Sequence, residues 1–115
     1  MSRDSRVFLE DIVEAARRVR LYIANMDSKA FESDPRTSDA VLRNLQVIGE
    51  AAKRLPKEFR AAHPEVDWRR MAGMRDVLVH EYSRVNLQVV WNAAAHDLPE
   101  MDARVHSILE KLPGD

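Results

Sequence analysis

The 115-residue chain contains no cysteine, only three glycines and few aromatic residues, which make up 6% of the total. The absence of thiols excludes disulfides, thiolate metal sites and cysteine nucleophiles, and it is typical of a reducing compartment. Scarce glycine, together with frequent alanine, leucine, glutamate and arginine, favours helices over strands. We therefore predict an all-α fold.

The sequence also lacks long apolar runs and an excess of charge of one sign. It has 18 basic and 19 acidic residues, a net charge of -1, so bulk charge neither predicts nor excludes a nucleic-acid partner. No segment approaches the roughly 18 apolar residues of a membrane span, and the charged first residues do not resemble a signal peptide. The simplest interpretation is a single cytoplasmic domain over residues 1–115 with no membrane partner.

Apolar residues recur every three or four positions in the first half of the chain, the spacing of one helix face. The first predicted helix runs from about Asp4 to Asn25, and the second ends at Pro56. Between them, residues 27–39 have no period and are predicted to be a connection. The candidates for capping the second helix are Asp34, Thr37 and Ser38. The apolar faces are Leu9, Ile12, Ala16, Val19, Ile23 and Met26, then Val41, Leu45, Ile48, Ala52 and Leu55.

Residues 57–67 predict a short helical turn and a loop ending at Asp67, which can cap a third helix that opens with Trp68. Asn86 can cap the last element, whose pattern continues from Leu87 to Leu112. Pro99 interrupts that element and should bend or split it, with Asp97 able to cap the second piece. These elements predict an antiparallel bundle of four to five helices.

The third predicted helix carries the stretch RDVLVHEY. On an ideal helix, Arg75 falls at the margin of the apolar face formed by residues such as Met71 and Met74. An unpaired guanidinium there would be costly, so Arg75 needs an anionic partner: a carboxylate such as Glu50, a bound phosphate, or water.

Arg75 and His80 are separated by about 140° around a regular helix, too far to contact one small group together. If they cooperate, the helix must end or kink between them, or two copies of the chain must share a cleft. Asp76 lies four residues before His80 and can orient its imidazole. The spacing therefore points toward a homodimer.

This set of side chains suits attack by an RNA 2′-hydroxyl on the neighbouring phosphodiester. A histidine can take the hydroxyl proton, and an arginine can stabilise the added negative charge. The four histidines show no close metal-ligand spacing with acidic residues, so we expect neither a metal nor a cofactor. The spacing alone also allows a structural interpretation, in which Arg75 and His80 are surface residues of a bundle helix and Tyr82 is a packed aromatic.

Three stretches together resemble a known family. TSDAVLRNLQVIGEAAKRLP, HPEVDWRRMAGMRDVLVHEY and VNLQVVWNAAAHDLPEM, within residues 37–101, are similar to the HepT-like branch of HEPN domains. These are the toxins of HepT/MntA-type toxin-antitoxin pairs. The likeness depends on IGEAAK, W-x5-MRD and H-x-Y occurring at these separations.

The resemblance implies a dimeric helical bundle with metal-independent RNase activity at an R-x4-H motif in the cleft between protomers. By position, the arginine is Arg75, the histidine is His80, and Asp76 fills the polar place after the arginine. It also implies that an MntA-like nucleotidyltransferase antitoxin transfers AMP to Tyr82. The alternatives are a non-catalytic HEPN adaptor that binds nucleotide or RNA and docks a nucleotidyltransferase, or a bundle whose only task is to dimerise.

Overall fold

The computed structural model describes the backbone of residues 3–80 and 86–113 and the side chains of residues 4–75 and 86–113. Within these ranges there is no strand, so the predicted all-α class is confirmed. The helices are α1 (Arg3–Ile23), α2 (Ser28–Glu32), α3 (Pro35–Arg54), α4 (Lys57–Ala62), α5 (Trp68–His80), α6 (Leu87–Asn92), a π-helical segment (Ala93–Asp97) and α7 (Leu98–Lys111).

The core lies where α1 packs against α3 on one side and α7 on the other, and α3 in turn packs against α5. The apolar faces predicted for the first two helices supply most of its side chains, although Ile23 and Met26 are only half-buried. Trp68 and Trp91 are also buried. Burial of these faces is the main source of stability, because most helices of this length are marginal alone.

Three predicted caps are confirmed. The carboxylate of Asp34 accepts a hydrogen bond from the Thr37 backbone N–H at 3.1 Å, which starts α3 at Pro35. Asp67 accepts from the Arg70 N–H at 3.0 Å and Asn86 accepts from the Gln88 N–H at 3.0 Å. Each cap satisfies an N–H group that has no partner inside its own helix.

The prediction that residues 27–39 form only a connection is wrong. The helix α2 lies within them, capped by Asp27, whose carboxylate accepts from the Ala30 N–H at 2.8 Å. Phe31 is fully buried, with its ring centroid 5.4 Å from that of Trp91. A helix of five residues has too few positions to show a period, so only its packing on α6 reveals it.

The split expected in the last element takes the form of a change of helix type before Pro99, and Asp97 does not cap the second piece. A π-helical segment joins α6 to α7, and Pro99 lies in the first turn of α7. Asp97 has helical dihedrals and no side-chain capping bond, and its carboxylate instead lies 2.8 Å from Nη2 of Arg70. The wider π turn lets the chain continue helically up to a proline without the extended residue that a cap requires.

The predicted count of four to five helices corresponds to α1, α3, α5 and the run from α6 to α7. The described ranges also contain α4, which confirms the short helical turn predicted within residues 57–67, and α2, which was not predicted. None of the helices in those ranges is both long and apolar enough to cross a bilayer. Pairing of two copies stays a prediction.

Candidate functional site

Several contacts fix the first half of α5 on the rest of the domain. The indole N–H of Trp68 donates to the backbone carbonyl of His63 at 2.8 Å, and its ring meets Phe59 edge-on. Met71 and Met74 are buried one turn apart on the face that packs against α3. The backbone is therefore held firmly up to the position before Arg75.

Arg75 lies at a close approach between α3 and α5, opposite Gly49. A Cβ added to Gly49 would lie 2.5 Å from the Cβ of Arg75 and 2.7 Å from its backbone nitrogen. Atoms in proteins do not approach this closely, so any larger residue at Gly49 would push the helices apart. Gly49 thus allows Arg75 to lie directly against α3.

The residue after Gly49 supplies the anionic partner that Arg75 was predicted to need. Oε2 of Glu50 lies 2.6 Å from Nε of Arg75, so the first of the three predicted alternatives, a protein carboxylate, is confirmed. The other oxygen of Glu50 lies 3.6 Å from Nε of Arg54. One carboxylate therefore contacts two guanidinium groups.

These groups border an open groove of about 390 Å³ between α1, α3 and α5, which we call the arginine groove. Among the described residues, the charged side chains that line it are three arginines and two acids. A small cationic excess with planar donors suits phosphate groups. The arginine groove is lined by Phe8, Asp11, Arg43, Gln46, Val47, Glu50, Ala51, Arg54 and Arg75.

Sequence reasoning missed Arg43 and Arg54. Both lie on the α3 face that carries Glu50, at seven residues before it and four after it, a helical spacing that could have identified them. This spacing alone does not indicate a site, because arginines on a solvated helix face are common. Only the position of α5 shows that this face borders Arg75.

The other predicted site residues are less fully described. Asp76 and His80 belong to α5, which does not end between Arg75 and His80, so a helix end cannot bring the two together. The side chains of Asp76 and His80, and the whole of Tyr82, lie outside the described residues. Their roles stay predictions.

Acidic and imidazole groups do not form a metal site in the part of the chain that the structure describes. No three such side chains lie close enough together there to hold an ion. The side chains of residues 76–85 lie outside the described part of the chain.

The fold and the groove define a helical domain with an arginine-lined surface groove. A family model described as "Ribonuclease HepT-like" matches residues 12–108, which include every predicted site residue. The chain therefore belongs to the HepT-like ribonuclease family, and the predicted family is confirmed.

Similar proteins agree with this assignment over most of their lengths. A protein of Caldanaerobacter subterraneus named "Putative RNase" is 40% identical over 92% of this chain and 95% of its own. A "Probable ribonuclease HepT" of Thermococcus cleftensis is 37% identical over 94% and 98% of the two chains. A "Putative RNase" of Methanocaldococcus jannaschii is 34% identical over 98% and 93%. No solved structure matches the chain significantly.

Proposed function

We propose that the protein is an endoribonuclease, the toxin of a toxin-antitoxin pair, that cuts RNA without a metal ion in a cleft shared by two copies of the chain. The observation that carries the proposal is the position of Arg75, held by Glu50 at the edge of the arginine groove, in a chain of the HepT-like ribonuclease family. A guanidinium in such a groove can bind the phosphate oxygens of RNA.

In the proposed reaction, the RNA 2′-oxygen attacks the adjacent phosphorus while His80 accepts the hydroxyl proton. Arg75 stabilises the negative charge that accumulates on the phosphate oxygens. The bond from phosphorus to the 5′-oxygen breaks, and the leaving oxygen receives a proton from an imidazolium, which leaves a 2′,3′-cyclic phosphate. Asp76 orients the imidazole through its carboxylate.

The continuity of α5 supports a cleft built from two protomers. Arg75 and His80 are about 140° apart on a regular helix, and α5 does not end between them. An arginine of one copy and a histidine of the other can converge on one phosphate when two α5 helices face each other. The dimer is thus part of the proposed chemistry.

Incubation of purified protein with total RNA, beside His80→Ala and Arg75→Ala variants and in the presence of EDTA, tests the chemistry. We expect cleavage by the wild type that EDTA does not affect, and a loss of at least about a hundredfold in each variant. Equal cleavage by all three proteins would exclude both residues. A folded wild-type dimer that binds RNA without cutting it would favour the adaptor function instead.

Mixing the two inactive variants tests the shared cleft. If each site combines Arg75 of one copy with His80 of the other, a mixed dimer contains one complete site. Random exchange should then restore about a quarter of wild-type activity, because half the dimers are mixed and half of their sites are complete. No restoration after demonstrated subunit exchange would contradict this arrangement, as would a monomer in analytical ultracentrifugation.

We further propose that an MntA-like nucleotidyltransferase silences the enzyme through Tyr82. The phenolic oxygen attacks the α-phosphorus of ATP, pyrophosphate leaves, and AMP remains on the tyrosine. On a continuous helix, Tyr82 would lie within about 20° of Arg75, so the added phosphate could compete with RNA for the guanidinium. Tyr82→Phe protein should cut RNA normally and stay active after incubation with the antitoxin and ATP. Silencing of that variant would assign the modification elsewhere.

A further inference from the structure

The contact between Glu50 and Arg75 needs an explanation beyond stability. The side chains of Arg75 and Glu50 are 39% and 45% exposed, and ion pairs this open to water contribute little to folding. The Nε atom of Arg75 nevertheless lies only 2.6 Å from Oε2 of Glu50, within the range of charge-assisted contacts between a guanidinium and a carboxylate. A contact this close restricts the orientations that the guanidinium can adopt.

A negative charge at this place is also unfavourable for the proposed substrate. Glu50 lines the same arginine groove that would receive the phosphates of RNA, and it repels them. It also partly neutralises the positive charge of Arg54, whose Nε lies 3.6 Å from Oε1 of Glu50. A groove built only to bind RNA tightly would be better without Glu50.

We propose that Glu50 is the positioning residue of Arg75: it fixes the guanidinium at the orientation that stabilises the reacting phosphate, and the site gives up some RNA affinity in return. Gly49 is part of the same device, since it lets α5 come close enough for the contact. The inference rests on the proposed ribonuclease function and assigns that site a residue outside R-x4-H-x-Y.

The physical basis is that a guanidinium stabilises charge only where its N–H groups point. Arginine has a long side chain with several rotatable bonds, and fixing it during the reaction itself would raise the barrier. A carboxylate that fixes Nε beforehand removes that cost. Loss of Glu50 should therefore slow turnover while leaving RNA binding intact or stronger.

The test is Glu50→Gln, which keeps the shape of the side chain and a carbonyl acceptor but removes the charge. Asp39→Asn is the matched control, because it removes the same charge from an exposed position of the same helix, outside the residues that line the arginine groove. We expect Glu50→Gln to lower kcat by about ten- to a hundredfold, the scale on which carboxylates that orient a functional group act. We expect Asp39→Asn to cleave RNA like the wild type.

RNA affinity is measured in a His80→Ala background, which prevents cleavage. Adding Glu50→Gln to that background should leave the Kd for a single-stranded RNA unchanged or lower. Unchanged kcat in the single variant would overturn the proposal. A parallel loss of turnover and RNA binding would also overturn it, since that result indicates a general structural role.

A spectroscopic measurement keeps the inference separate from the ribonuclease function. In ¹⁵N spectra, the Nε–H signal of Arg75, assigned with Arg75→Lys, should be protected from solvent exchange in wild-type protein and lose that protection in Glu50→Ala, which removes the acceptor altogether. If the wild type cuts no RNA, the ribonuclease proposal fails whatever this signal does. If the wild type cuts RNA but the signal is the same in both proteins, Glu50 does not position Arg75.

Discussion

At the crossing of α3 and α5, Glu50 contacts Arg75 at 2.6 Å, whereas between α1 and α7, Asp102 lies 3.5 Å from Arg20. The exposures differ in the opposite sense: the Glu50 side chain is 45% exposed and that of Asp102 only 7%. The pair with the shorter distance, Glu50 and Arg75, is therefore the one exposed to water. In the pair with the longer distance, the carboxylate of Asp102 is buried.

The buried acid is a cost to the fold. Oδ1 of Asp102 has no hydrogen-bond partner among the described residues, and the nearest imidazole nitrogen, of His106, is 3.6 Å away. Burial raises the pKa of the Asp102 carboxyl, although His106 and Arg20 act in the opposite direction. The buried charge of Asp102 thus reduces stability near neutral pH, whereas the side chains of Glu50 and Arg75 stay partly exposed to solvent.

The cavities beside the two pairs show the same difference. The Asp102 region borders a cavity of about 330 Å³ whose walls include Trp91, Leu98 and Pro99, so it is mostly apolar. The arginine groove carries three guanidinium groups instead. Of these two environments, the arginine groove suits a polyanion better, which supports the proposal that RNA binds there.

The largest effect should come from moving the α3–α5 crossing itself. Gly49→Ala should lower the free energy of unfolding by about 1–3 kcal/mol, because the new methyl would overlap Arg75 and the helices must separate. RNA cleavage should fall with it. Urea denaturation and a cleavage assay measure the two effects.

Gly73→Ala is the control for that substitution, since a Cβ there meets none of the atoms that the structure describes within 4 Å outside its own helix backbone and neighbouring residues. It should raise the free energy of unfolding by roughly 0.5–1 kcal/mol through helix propensity alone. If both alanine variants were equally stabilised, the close approach at Gly49 would not constrain the crossing.

The next effect concerns the buried acid. Asp102→Asn should raise stability at neutral pH by about 1 kcal/mol, because it removes the charge that burial disfavours. The folded pKa of Asp102 is raised, so the wild type gains stability as pH falls through that pKa toward the unfolded value of about 3.9. The advantage of the asparagine variant should therefore shrink over that range. Urea midpoints at several pH values measure it, and a constant difference would refute the assignment.

A smaller effect is expected from Arg54, which lines the arginine groove. Its removal in Arg54→Ala should raise the KM for RNA a few-fold and reduce the salt dependence of binding by about one ion, as for one lost phosphate contact. Arg36→Ala, at an exposed position of the same helix, is the control. Equal effects of the two substitutions would mean that the groove does not guide the RNA.

The smallest effect should be at Glu14, an acid paired with two arginines on the open surface of α1. Hydrogen bonds from Arg17 and Arg18 lower the pKa of Glu14 to about 2. Stability from this group would be present above its unfolded pKa and lost as pH falls through about 2, but exposure screens it. Glu14→Gln should leave Tm unchanged at neutral pH, at low and high salt. A clear decrease in Tm would show that these ion pairs stabilise the fold despite their exposure to water.

Much of this architecture could be predicted because its signals are local. The apolar faces of α1 and α3 and the caps Asp34, Asp67 and Asn86 are each specified within a few residues. The need of Arg75 for an anion followed from its place at the margin of an apolar face, and Glu50 was among the expected partners. Helix α2 and the π-helical segment were missed because neither leaves a distinct periodic pattern.

By itself, the sequence determined the helical class, the main helix starts and the family, since periodicity, capping and motif spacing are properties of neighbouring residues. Only the tertiary structure decided that Gly49 touches Arg75, that Glu50 contacts two arginines, and that Arg43 and Arg54 line the same groove. These facts depend on how α3 crosses α5. A crossing is set by side chains far apart in the chain, and no local pattern encodes it.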